Sequence, residues 1–148
     1  MKIVAKNKKA SFNYFLLDTY EAGIVLQGTE IKSVRTNKVN IVDAHCIIRR
    51  DEMFIVNMHI AKYDHGNLFN HDETRQRKLL LHKRQIVKIH KKMMQESLTV
   101  VPTKVYMEKG LCKVEIALAK GKKNYDKRQS LKEKDDKRNM AIKMKERY

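Results

Sequence analysis

Residues 98–119, LTVVPTKVYMEKGLCKVEIALA, decide the fold class of this chain. Two apolar runs, 98–107 and 111–119, flank Glu108-Lys109-Gly110, and runs of this kind around a short glycine-containing segment are typical of a β-hairpin. Pro102 has no backbone N–H to donate, so its place in the first run predicts an edge strand or a bulge there. This stretch therefore favours antiparallel β-structure.

The same signals recur towards the N-terminus. Residues 44–48 and 53–58 flank Arg49-Arg50-Asp51-Glu52 and predict a second hairpin. Residues 12–17 and 24–26 predict two further strands, with a turn at Gly23. Several short antiparallel strands with one or two helices indicate a mainly β fold, a small closed or nearly closed barrel. Such barrels hide their strand edges and present loops and faces to oligonucleotides.

Two segments change to a helical period. Ile31 and Val34 lie three residues apart, as one face of a short helix requires, and Thr29 is a candidate N-cap. In residues 82–96 apolar side chains recur with helical spacing while lysines cover the other faces. Residues 63–76, with one glycine, two asparagines and two histidines, predict a long loop between these regions.

The charge divides the chain into a body and a tail. The 148 residues carry a net charge of +16, and one compact domain is the expectation at this length. Residues 120–148 hold 12 Lys or Arg against 5 Asp or Glu, and residues 1–119 hold 21 against 12. We therefore expect a folded body over 1–119 and a basic tail over 120–148. So large a positive charge is more tolerable beside a polyanion, with nucleic acid as the leading candidate and an anionic membrane second.

The start of the tail combines features that contact RNA. Residues 120–128 contain four lysines, one arginine and Tyr125, arranged around Gly121. Lysine and arginine bind phosphates, and a tyrosine ring can stack on an unpaired base. Asp126 could orient a neighbouring cation or accept a hydrogen bond from a base edge, and a merely solvated basic linker is the alternative. Further on, Ser130 and Glu133 form a capping-box pattern. With few apolar side chains to dock it, the tail is predicted to be disordered alone and helical against a polyanion.

Other classes of protein find less support. No apolar run approaches the roughly 20 residues that span a bilayer, and the basic start does not resemble a secretory signal, so we expect a cytoplasmic protein. Cys46 and Cys112 are predicted to be buried thiols rather than a disulfide or zinc ligands. No catalytic motif such as a P-loop, GxSxG or HExxH occurs, so we expect no enzyme, with a metal-dependent nuclease as a minor alternative.

The histidines raise a metal hypothesis. His65 and His71 are six residues apart, and His82 and His90 are eight apart. Neither spacing matches a zinc-binding pattern, and no acid completes a set of three ligands. Ordinary surface or half-buried histidines are the expectation, with no metal and no cofactor.

Seven short motifs are spread over nearly the whole chain in one order. They are NKKA (7–10), EAGI (21–24), GTEIKSVR (28–35), RQRKLLLHK (75–83), VP (101–102), AKGKK (119–123) and DKR (126–128). In these motifs the chain resembles the SmpB family, the SsrA-binding proteins of bacterial trans-translation. The resemblance implies an oligonucleotide-binding-like antiparallel barrel with accessory helices and a C-terminal tail.

The resemblance also implies a function. SmpB proteins bind the tRNA-like domain of transfer-messenger RNA (tmRNA, or SsrA) and deliver it, with elongation factor Tu and GTP, to ribosomes stalled on messages without a stop codon. The tail then folds into a helix in the small-subunit decoding centre and message channel, against 16S rRNA. The nascent chain is tagged for degradation and the ribosome is released. A one-to-one complex with RNA needs only a monomer.

Matching positions carry the family's RNA-binding determinants onto this chain. Glu21, Leu80 and His82 fall at such positions; many relatives have Asn in place of His82, and either side chain can hydrogen-bond. Further RNA contacts implied by the motifs are Lys8, Lys9, Gly23, Lys32, Arg35, Arg75, Arg77 and Lys78. Leu80 could instead be core, because Leu is among the most often buried residues. Glu30 and Lys32 could instead be structural, closing the short helix on the barrel.

The family's ribosome contacts map onto the tail. The matching residues are Lys120, Gly121, Lys122, Lys123, Tyr125, Asp126, Lys127 and Arg128. Relatives commonly have His where Tyr125 stands, and tyrosine keeps the ability to stack while losing the chance of a positive charge. The remaining alternatives are a ribosomal protein or general translation factor, the nuclease, and a membrane-surface protein. For the last of these, residues 131–148 lack the broad apolar face required.

Overall fold

The computed structural model of the protein describes residues 1–63 and 70–147, without the side chains of residues 124, 136–137 and 139–147. The described residues form nine strands and four helices. The strands are β1 (Lys2–Lys6), β2 (Tyr14–Ile24), β3 (Val39–Asn40), β4 (His45–Arg49), β5 (Glu52–Val56), β6 (His59–Ile60), β7 (Arg77–Leu80), β8 (Thr99–Glu108) and β9 (Leu111–Gly121). The helices are α1 (Ala10–Asn13), α2 (Gly28–Arg35), α3 (Lys83–Glu96) and α4 (Asn124–Arg147).

The main sheet closes on itself. Its strand order is β1-β8-β4-β5-β7-β2-β9, and β9 also pairs with β8, so six strands form a ring to which β1 adds at β8. All of these pairings are antiparallel. Closure leaves few open strand edges. The predicted mainly β, closed antiparallel barrel with accessory helices is confirmed.

The β8–β9 hairpin follows the sequence prediction. Its turn residues, Lys109 and Gly110, both have positive φ, as the favoured two-residue hairpin turns require. The strand register shifts between Pro102 and Lys104, which is the predicted bulge. Strand β8 as a whole is not an edge strand, because it pairs with β9 on one side and with β1 and β4 on the other; Pro102 itself lies between the β1 and β4 pairings. The predicted β4–β5 hairpin is also confirmed.

Strand β2 differs from the prediction. Instead of two strands separated by a turn at Gly23, one strand runs from Tyr14 to Ile24 and pairs with β9 along its length and with β7 at its end. Gly23 is therefore extended. Glycine is tolerated in strands where another chain segment approaches closely, and the close approach here is made by β7.

The barrel interior is filled by aliphatic side chains that alternate inward along the strands. Met53, Ile55 and Leu79 are fully buried, and α3 adds Ile86 and Ile89 to the same cluster. Each such side chain contributes about 1.5–3 kcal/mol on burial. Helix α3 is thus fixed across one side of the barrel, as its spacing predicts. Cys46 and Cys112 are free and buried, and burial raises the pKa of the Cys112 thiol to about 12.

Helix α2 is capped by Gln27 rather than by the predicted Thr29. The Gln27 N–H donates to Glu30 Oε1 at 2.8 Å, and the helix begins at Gly28, one residue before Thr29. Thr29 instead bonds His71 Nδ1 at 2.9 Å. The Ile60 carbonyl can only accept a hydrogen bond, so His71 Nε2 donates to it, at 2.9 Å. His71 Nδ1 then accepts from Thr29, and the histidine joins α2 to β6.

Two hydrogen bonds join Tyr63 to Asn70 within the predicted loop, and we call this pair of bonds the clasp. Tyr63 N–H donates to Asn70 Oδ1 at 3.3 Å, and Asn70 Nδ2 donates to the Tyr63 carbonyl at 2.9 Å. The chain therefore leaves and re-enters the described fold at adjacent points. His65 and the rest of 64–69 lie outside the described residues, and the loop prediction ends at Arg77, where β7 begins.

The tail continues directly from the barrel. Strand β9 runs two residues past the predicted boundary, to Gly121, and Lys122 N–H donates to the Asn13 carbonyl at 2.9 Å. Helix α4 then starts at Asn124, so the predicted N-cap at Ser130 is wrong. Ser130 Oγ donates to the Asp126 carbonyl one turn earlier, at 3.1 Å. Among the described residues, no helix is long and apolar enough to cross a membrane.

Candidate nucleic-acid interface

An open depression of ≈ 440 Å³ lies on the outer surface where β2, β7, β9 and the start of α3 meet. Its lining residues are Glu21, Gly23, Leu80, Leu81, His82, Gln85 and Lys113. Four of these, Glu21, Gly23, Leu80 and His82, are predicted RNA-binding residues from two motifs that are distant in sequence. The structure brings them together because β2 pairs with both β7 and β9, which sets Gly23 beside Leu80 on one side and Lys113 on the other.

Leu80 is an exposed apolar side chain, not a core residue. Strand β7 alternates, so Leu79 points into the barrel with 1% exposure while Leu80 points outward with 52% exposure. The alternative assignment of Leu80 to the core is therefore wrong. An apolar side chain at the centre of a charged depression provides a contact surface for the face of a base or a ribose.

Gly23 lies directly beside Leu80 on the neighbouring strand. A Cβ atom placed on Gly23 would lie 3.3 Å from the Leu80 Cβ atom. This separation is tighter than ordinary van der Waals contact, so the absence of a side chain at Gly23 allows Leu80 to lie close to β2. The role of Gly23 is thus steric, and its predicted RNA contact would be through the backbone.

Glu21 is held as a carboxylate by two partners. Lys113 Nζ donates to Glu21 Oε1 at 2.6 Å. This hydrogen bond, and then one from the Tyr106 hydroxyl, hold the pKa of Glu21 below its ordinary value. The same hydrogen bond raises the pKa of Lys113. Glu21 therefore remains ionised and able to accept hydrogen bonds, and Lys113 keeps the site from being a net acidic surface.

Lys113 was not among the predicted site residues. Nothing in its sequence neighbourhood distinguishes it from the other lysines. Its position beside Gly23 depends on the register between β2 and β9, which the incorrect turn at Gly23 concealed. A correct β2–β9 pairing would have placed it opposite the EAGI motif.

His82 stands at the rim, at the N-cap position of α3. It is exposed, and its backbone N–H donates to Gln85 Oε1 at 3.3 Å. The helix start therefore fixes the position of His82 while its ring stays accessible. Lys78, two residues before Leu80 on the same outward face, is half-buried, and its Nζ lies 3.5 Å from Glu52 Oε1.

The predicted RNA contact of Arg77, in the RQRKLLLHK motif, is wrong. It is fully buried, and its Nε pairs with Glu30 while its Nη1 donates to the Met58 carbonyl at 2.7 Å. An inward position on β7 leaves it no surface for RNA. Arg75 also bonds Glu30, at 2.6 Å, with 30% of its side chain exposed. Burial alone would raise the pKa of Glu30, but the hydrogen bonds from Arg75, the Gln27 backbone and Arg77 outweigh it and lower the pKa.

The GTEIKSVR motif likewise contains both a buried structural residue and exposed basic residues. Glu30 is fully buried and structural, which confirms that alternative. Lys32 is exposed, with its Nζ 5.2 Å from the centre of the Tyr63 ring. Arg35 is also exposed, and its carbonyl accepts a hydrogen bond from Lys2 Nζ at 3.2 Å. The predicted RNA contacts of Lys32 and Arg35 stay predictions, away from the Leu80 depression.

A second surface, which we call the tail-root surface, lies where β9 continues into α4. Lys8 and Lys9 line a depression of ≈ 530 Å³ with Ser11, Phe12 and four residues of α4. Lys122 Nζ donates to Ser130 Oγ at 2.6 Å and to the Ser11 carbonyl at 3.0 Å, and it lies 5.0 Å from the centre of the Phe15 ring. Lys122 thus connects α1, β2 and α4.

The other tail residues differ in exposure. Lys120, Gly121, Lys123 and Arg128 are exposed, Lys127 is half-buried, and Tyr125 is 76% exposed with a free ring surface. Asp126 Oδ2 accepts from the Lys123 N–H at 3.3 Å, so it caps the start of α4. This capping is a structural role that the sequence did not reveal for Asp126.

The two surfaces lie at opposite ends of β2. Gly121 pairs with Tyr14 at one end, and Gly23 pairs with Leu80 at the other. Nine residue steps separate Tyr14 from Gly23, which at about 3.3 Å per residue is roughly 30 Å. The sequence-predicted RNA contacts therefore do not form one site: Lys8 and Lys9 belong with the tail, and Glu21, Gly23, Leu80 and His82 with the other surface.

In the part of the chain that the structure describes, no group of three or more His, Cys, Asp or Glu could hold a metal ion.

Comparison with known proteins gives the family. The family model described as SmpB protein matches residues 4–146. This chain belongs to the SmpB family. Relatives named SsrA-binding protein include that of Staphylococcus saprophyticus, 53% identical over 145 residues covering 98% of this chain and 94% of the relative. That of Malacoplasma penetrans is 54% identical over 138 residues, covering 93% and 94%.

A solved structure shares the fold. It comes from work described as "tmRNA-SmpB: a journey to the center of the bacterial ribosome" and is 39% identical, with a TM-score of 0.69. The match covers 86% of this chain and 93% of that chain. Membership of the SmpB family confirms the resemblance carried by the seven motifs, over nearly the full length.

Proposed function

We propose that this protein binds the tRNA-like domain of tmRNA and delivers it to stalled ribosomes in trans-translation. The observation that supports this most directly is the convergence of Glu21, Gly23, Leu80 and His82 around one open depression in a chain of the SmpB family. Its relatives are named for SsrA binding, and its structural neighbour comes from work on tmRNA–SmpB and the ribosome. RNA binding, rather than catalysis, is the proposed activity.

The depression has the groups that shape-specific RNA recognition needs. Leu80 offers an apolar surface for a base or ribose, and ionised Glu21 accepts from a base amino group or a 2′-hydroxyl. His82 offers a ring nitrogen at the rim. Lys113 balances the Glu21 carboxylate, and Lys78, which lies beside the depression and next to Glu52, would attract phosphates. Such a mixture suits a folded RNA loop with exposed base edges better than a regular duplex, in which contacts are largely to phosphates and 2′-hydroxyls.

The tail-root surface is proposed to meet the ribosome. Lys120, Lys122, Lys123 and Arg128 would contact rRNA phosphates of the small-subunit decoding centre, with the exposed Tyr125 ring stacking on a base. Because this surface lies at the far end of β2 from the depression, one molecule can hold tmRNA and contact the decoding centre at once. We further propose a cytoplasmic monomer, elongation factor Tu with GTP joined through the RNA, and a tail that is disordered when free. Circular dichroism of a 120–148 peptide tests the last point, and strong helicity in buffer would contradict it.

Selective binding tests the function. The full chain should bind the tRNA-like domain of tmRNA much more tightly than an ordinary tRNA at moderate salt, because non-specific phosphate contacts weaken steeply as salt rises. A ribosomal protein or general translation factor would instead bind the two RNAs alike. Equal affinities across the salt range would overturn the proposal, and metal-dependent cleavage of either RNA would revive the nuclease alternative.

A further inference from the structure

The outer face that carries Leu80 continues beyond the depression. A second depression, of ≈ 300 Å³, shares Leu80 and Leu81 with the first and extends to Arg50, Lys78 and Lys83. A third, of ≈ 420 Å³, shares Arg50 and Glu52 with the second and is lined by Arg49, Arg50, Glu52 and Phe54. The three adjoin in series across β7, β5 and β4.

An aromatic ring stands in this series on the outer side of the sheet. Phe54 pairs with Lys78 on β7 and with Ile47 on β4. Its chain neighbours Met53 and Ile55 are fully buried inside the barrel, so strand alternation directs Phe54 outward, to the same side as Lys78 and Leu80. Phe54 is only half-buried, and the Cζ atom of Arg49 lies 5.3 Å from the centre of its ring.

The charge around this ring is cationic. Arg49, Arg50 and Lys83 are exposed and Lys78 is half-buried. Against them stand Asp51 and Glu52, of which Glu52 already accompanies Lys78 at 3.5 Å. We name Arg49, Arg50, Phe54 and Lys78 the hairpin surface, because the β4–β5 hairpin supplies three of the four residues. An aromatic side chain with flanking cations on an open sheet face is the arrangement that stacks unpaired bases.

We propose that Phe54 is a stacking platform for an unpaired nucleotide of the same RNA that occupies the Glu21–Leu80 depression, with Arg49 and Lys78 on the flanking phosphates. This inference rests on the proposed function, because it assigns a further part of the tmRNA contact. The second depression connects the hairpin surface to the first, because it is lined by Arg50 and Lys78 of the one and by Leu80 and Leu81 of the other, so one folded RNA can cover both. Arg49, which lies over the Phe54 ring, leaves the ring when a base stacks there, and its guanidinium then reaches a flanking phosphate.

The test replaces the ring with a smaller apolar side chain. Phe54→Leu keeps an apolar side chain on the sheet and loses the aromatic face, and Phe54→Tyr keeps the face. Ile47→Val trims the adjacent outward side chain and serves as the matched control. Thermal unfolding of each full-length variant first shows that the barrel is retained, and Arg49→Gln gives a second probe, which removes the cation over the Phe54 ring and keeps the ring itself.

Binding of each variant to the tRNA-like domain RNA is then measured at moderate salt, with base-specific chemical probing of the complexes. Phe54→Leu should weaken binding about tenfold, equivalent to roughly 1.4 kcal/mol, within the range for base–aromatic stacking. Phe54→Tyr and Ile47→Val should bind like the unaltered protein. At least one unpaired nucleotide protected by the unaltered protein should become reactive with Phe54→Leu, while the protections that depend on Leu80 remain.

The outcomes separate the two proposals. Unchanged affinity and unchanged protections with both Phe54→Leu and Arg49→Gln would overturn the stacking inference and leave tmRNA binding intact. Loss of tagging on ribosomes with normal RNA affinity would also overturn it, and would assign the hairpin surface to a ribosomal component. Failure of the unaltered protein to prefer tmRNA over tRNA would instead remove the proposed function.

Discussion

Gly23 and Leu80 are cross-strand partners on β2 and β7, and a Cβ atom on Gly23 would lie 3.3 Å from the Leu80 Cβ atom. A methyl group at Gly23 would therefore displace Leu80 by a few tenths of an ångström. The Leu80 Cβ atom is attached to the β7 backbone, so it yields only if this part of β7 moves slightly away from β2. The contact thus sets both the position of Leu80 in the depression and the spacing between β2 and β7.

Gly23→Ala is expected to lower the affinity for tmRNA severalfold and to lower the melting temperature modestly, because the end of β7 must shift. The matched control is Gly28→Ala, since nothing lies within 4 Å of a Cβ atom at Gly28. Filter binding and thermal unfolding of both variants check this. A Gly23→Ala protein that binds as well as Gly28→Ala would show that the position of Leu80 does not govern affinity.

Leu80→Ala and Leu79→Ala should separate binding from stability. Leu79 is 1% exposed inside the barrel, so its truncation should cost about 2–5 kcal/mol in free energy of unfolding. Leu80 is 52% exposed, so its truncation should cost much less stability and a larger share of RNA affinity. Denaturant unfolding and RNA binding measured on both proteins test the contrast. Comparable losses of stability would contradict the outward placement of Leu80.

Glu30 should give the fold a dependence on acid pH. The hydrogen bonds from Arg75, Gln27 and Arg77 lower its pKa in the folded state below the ordinary value of 4.5. Its contribution to stability is therefore complete above 4.5 and is lost as the pH falls through the lowered pKa. Glu30→Gln should flatten this loss in melting curves recorded from neutral to acidic pH.

Arg77→Met should be more damaging than Arg75→Met, because it leaves the buried Glu30 charge without its fully buried partner. Removing one member of a buried ion pair costs about 3–5 kcal/mol. Arg75, with 30% of its side chain exposed, should cost less. Unfolding free energies of the two variants test this order, and a reversal would contradict the burial of Arg77.

Deleting residues 124–148 should abolish tagging while leaving most of the affinity for tmRNA. This deletion keeps β9, which pairs to Gly121, and the Lys122 N–H bond to the Asn13 carbonyl. Binding of the tRNA-like domain and tagging in a reconstituted translation reaction are the two measurements. If the truncated protein lost both activities together, the assignment of different tasks to the depression and the tail would be wrong.

Tyr125→Ala should reduce tagging more than Tyr125→His, because histidine keeps a ring that can stack and alanine does not. Tyr125 is 76% exposed, so neither change should alter stability. Tagging by the unaltered protein and both variants in the same reaction is the measurement. Equal activity of the three proteins would argue against stacking at this position.

Local patterns predicted much of the fold. The two hairpins and α3 depend on neighbouring residues, and their apolar spacing was sufficient to identify them. The turn at Gly23 failed because glycine signals both turns and close approach, and only β7, more than 50 residues away in sequence, distinguishes the two. The N-cap predictions at Thr29 and Ser130 were wrong because several polar residues near each helix start could have capped it.

The site was predictable in composition but not in arrangement. Glu21, Leu80 and His82 came from matched motifs, yet their convergence required the β2–β7 pairing. Arg77 lies in a run of basic residues that suggests a surface patch, and only the distant Glu30 makes its burial possible. Lys113 carried no signal because its partner, Glu21, lies 92 residues earlier in the chain.

The clasp between Tyr63 and Asn70 has a consequence for engineering. Since two hydrogen bonds join these residues, the distance between the ends of the 64–69 segment is fixed by the flanking chain and not by the number of residues between them. Lengthening a segment whose ends are held together adds only a small entropic cost. A short peptide or affinity epitope inserted between Tyr63 and Asn70 should therefore leave the surrounding fold intact, because both hydrogen bonds are made by residues outside the insertion.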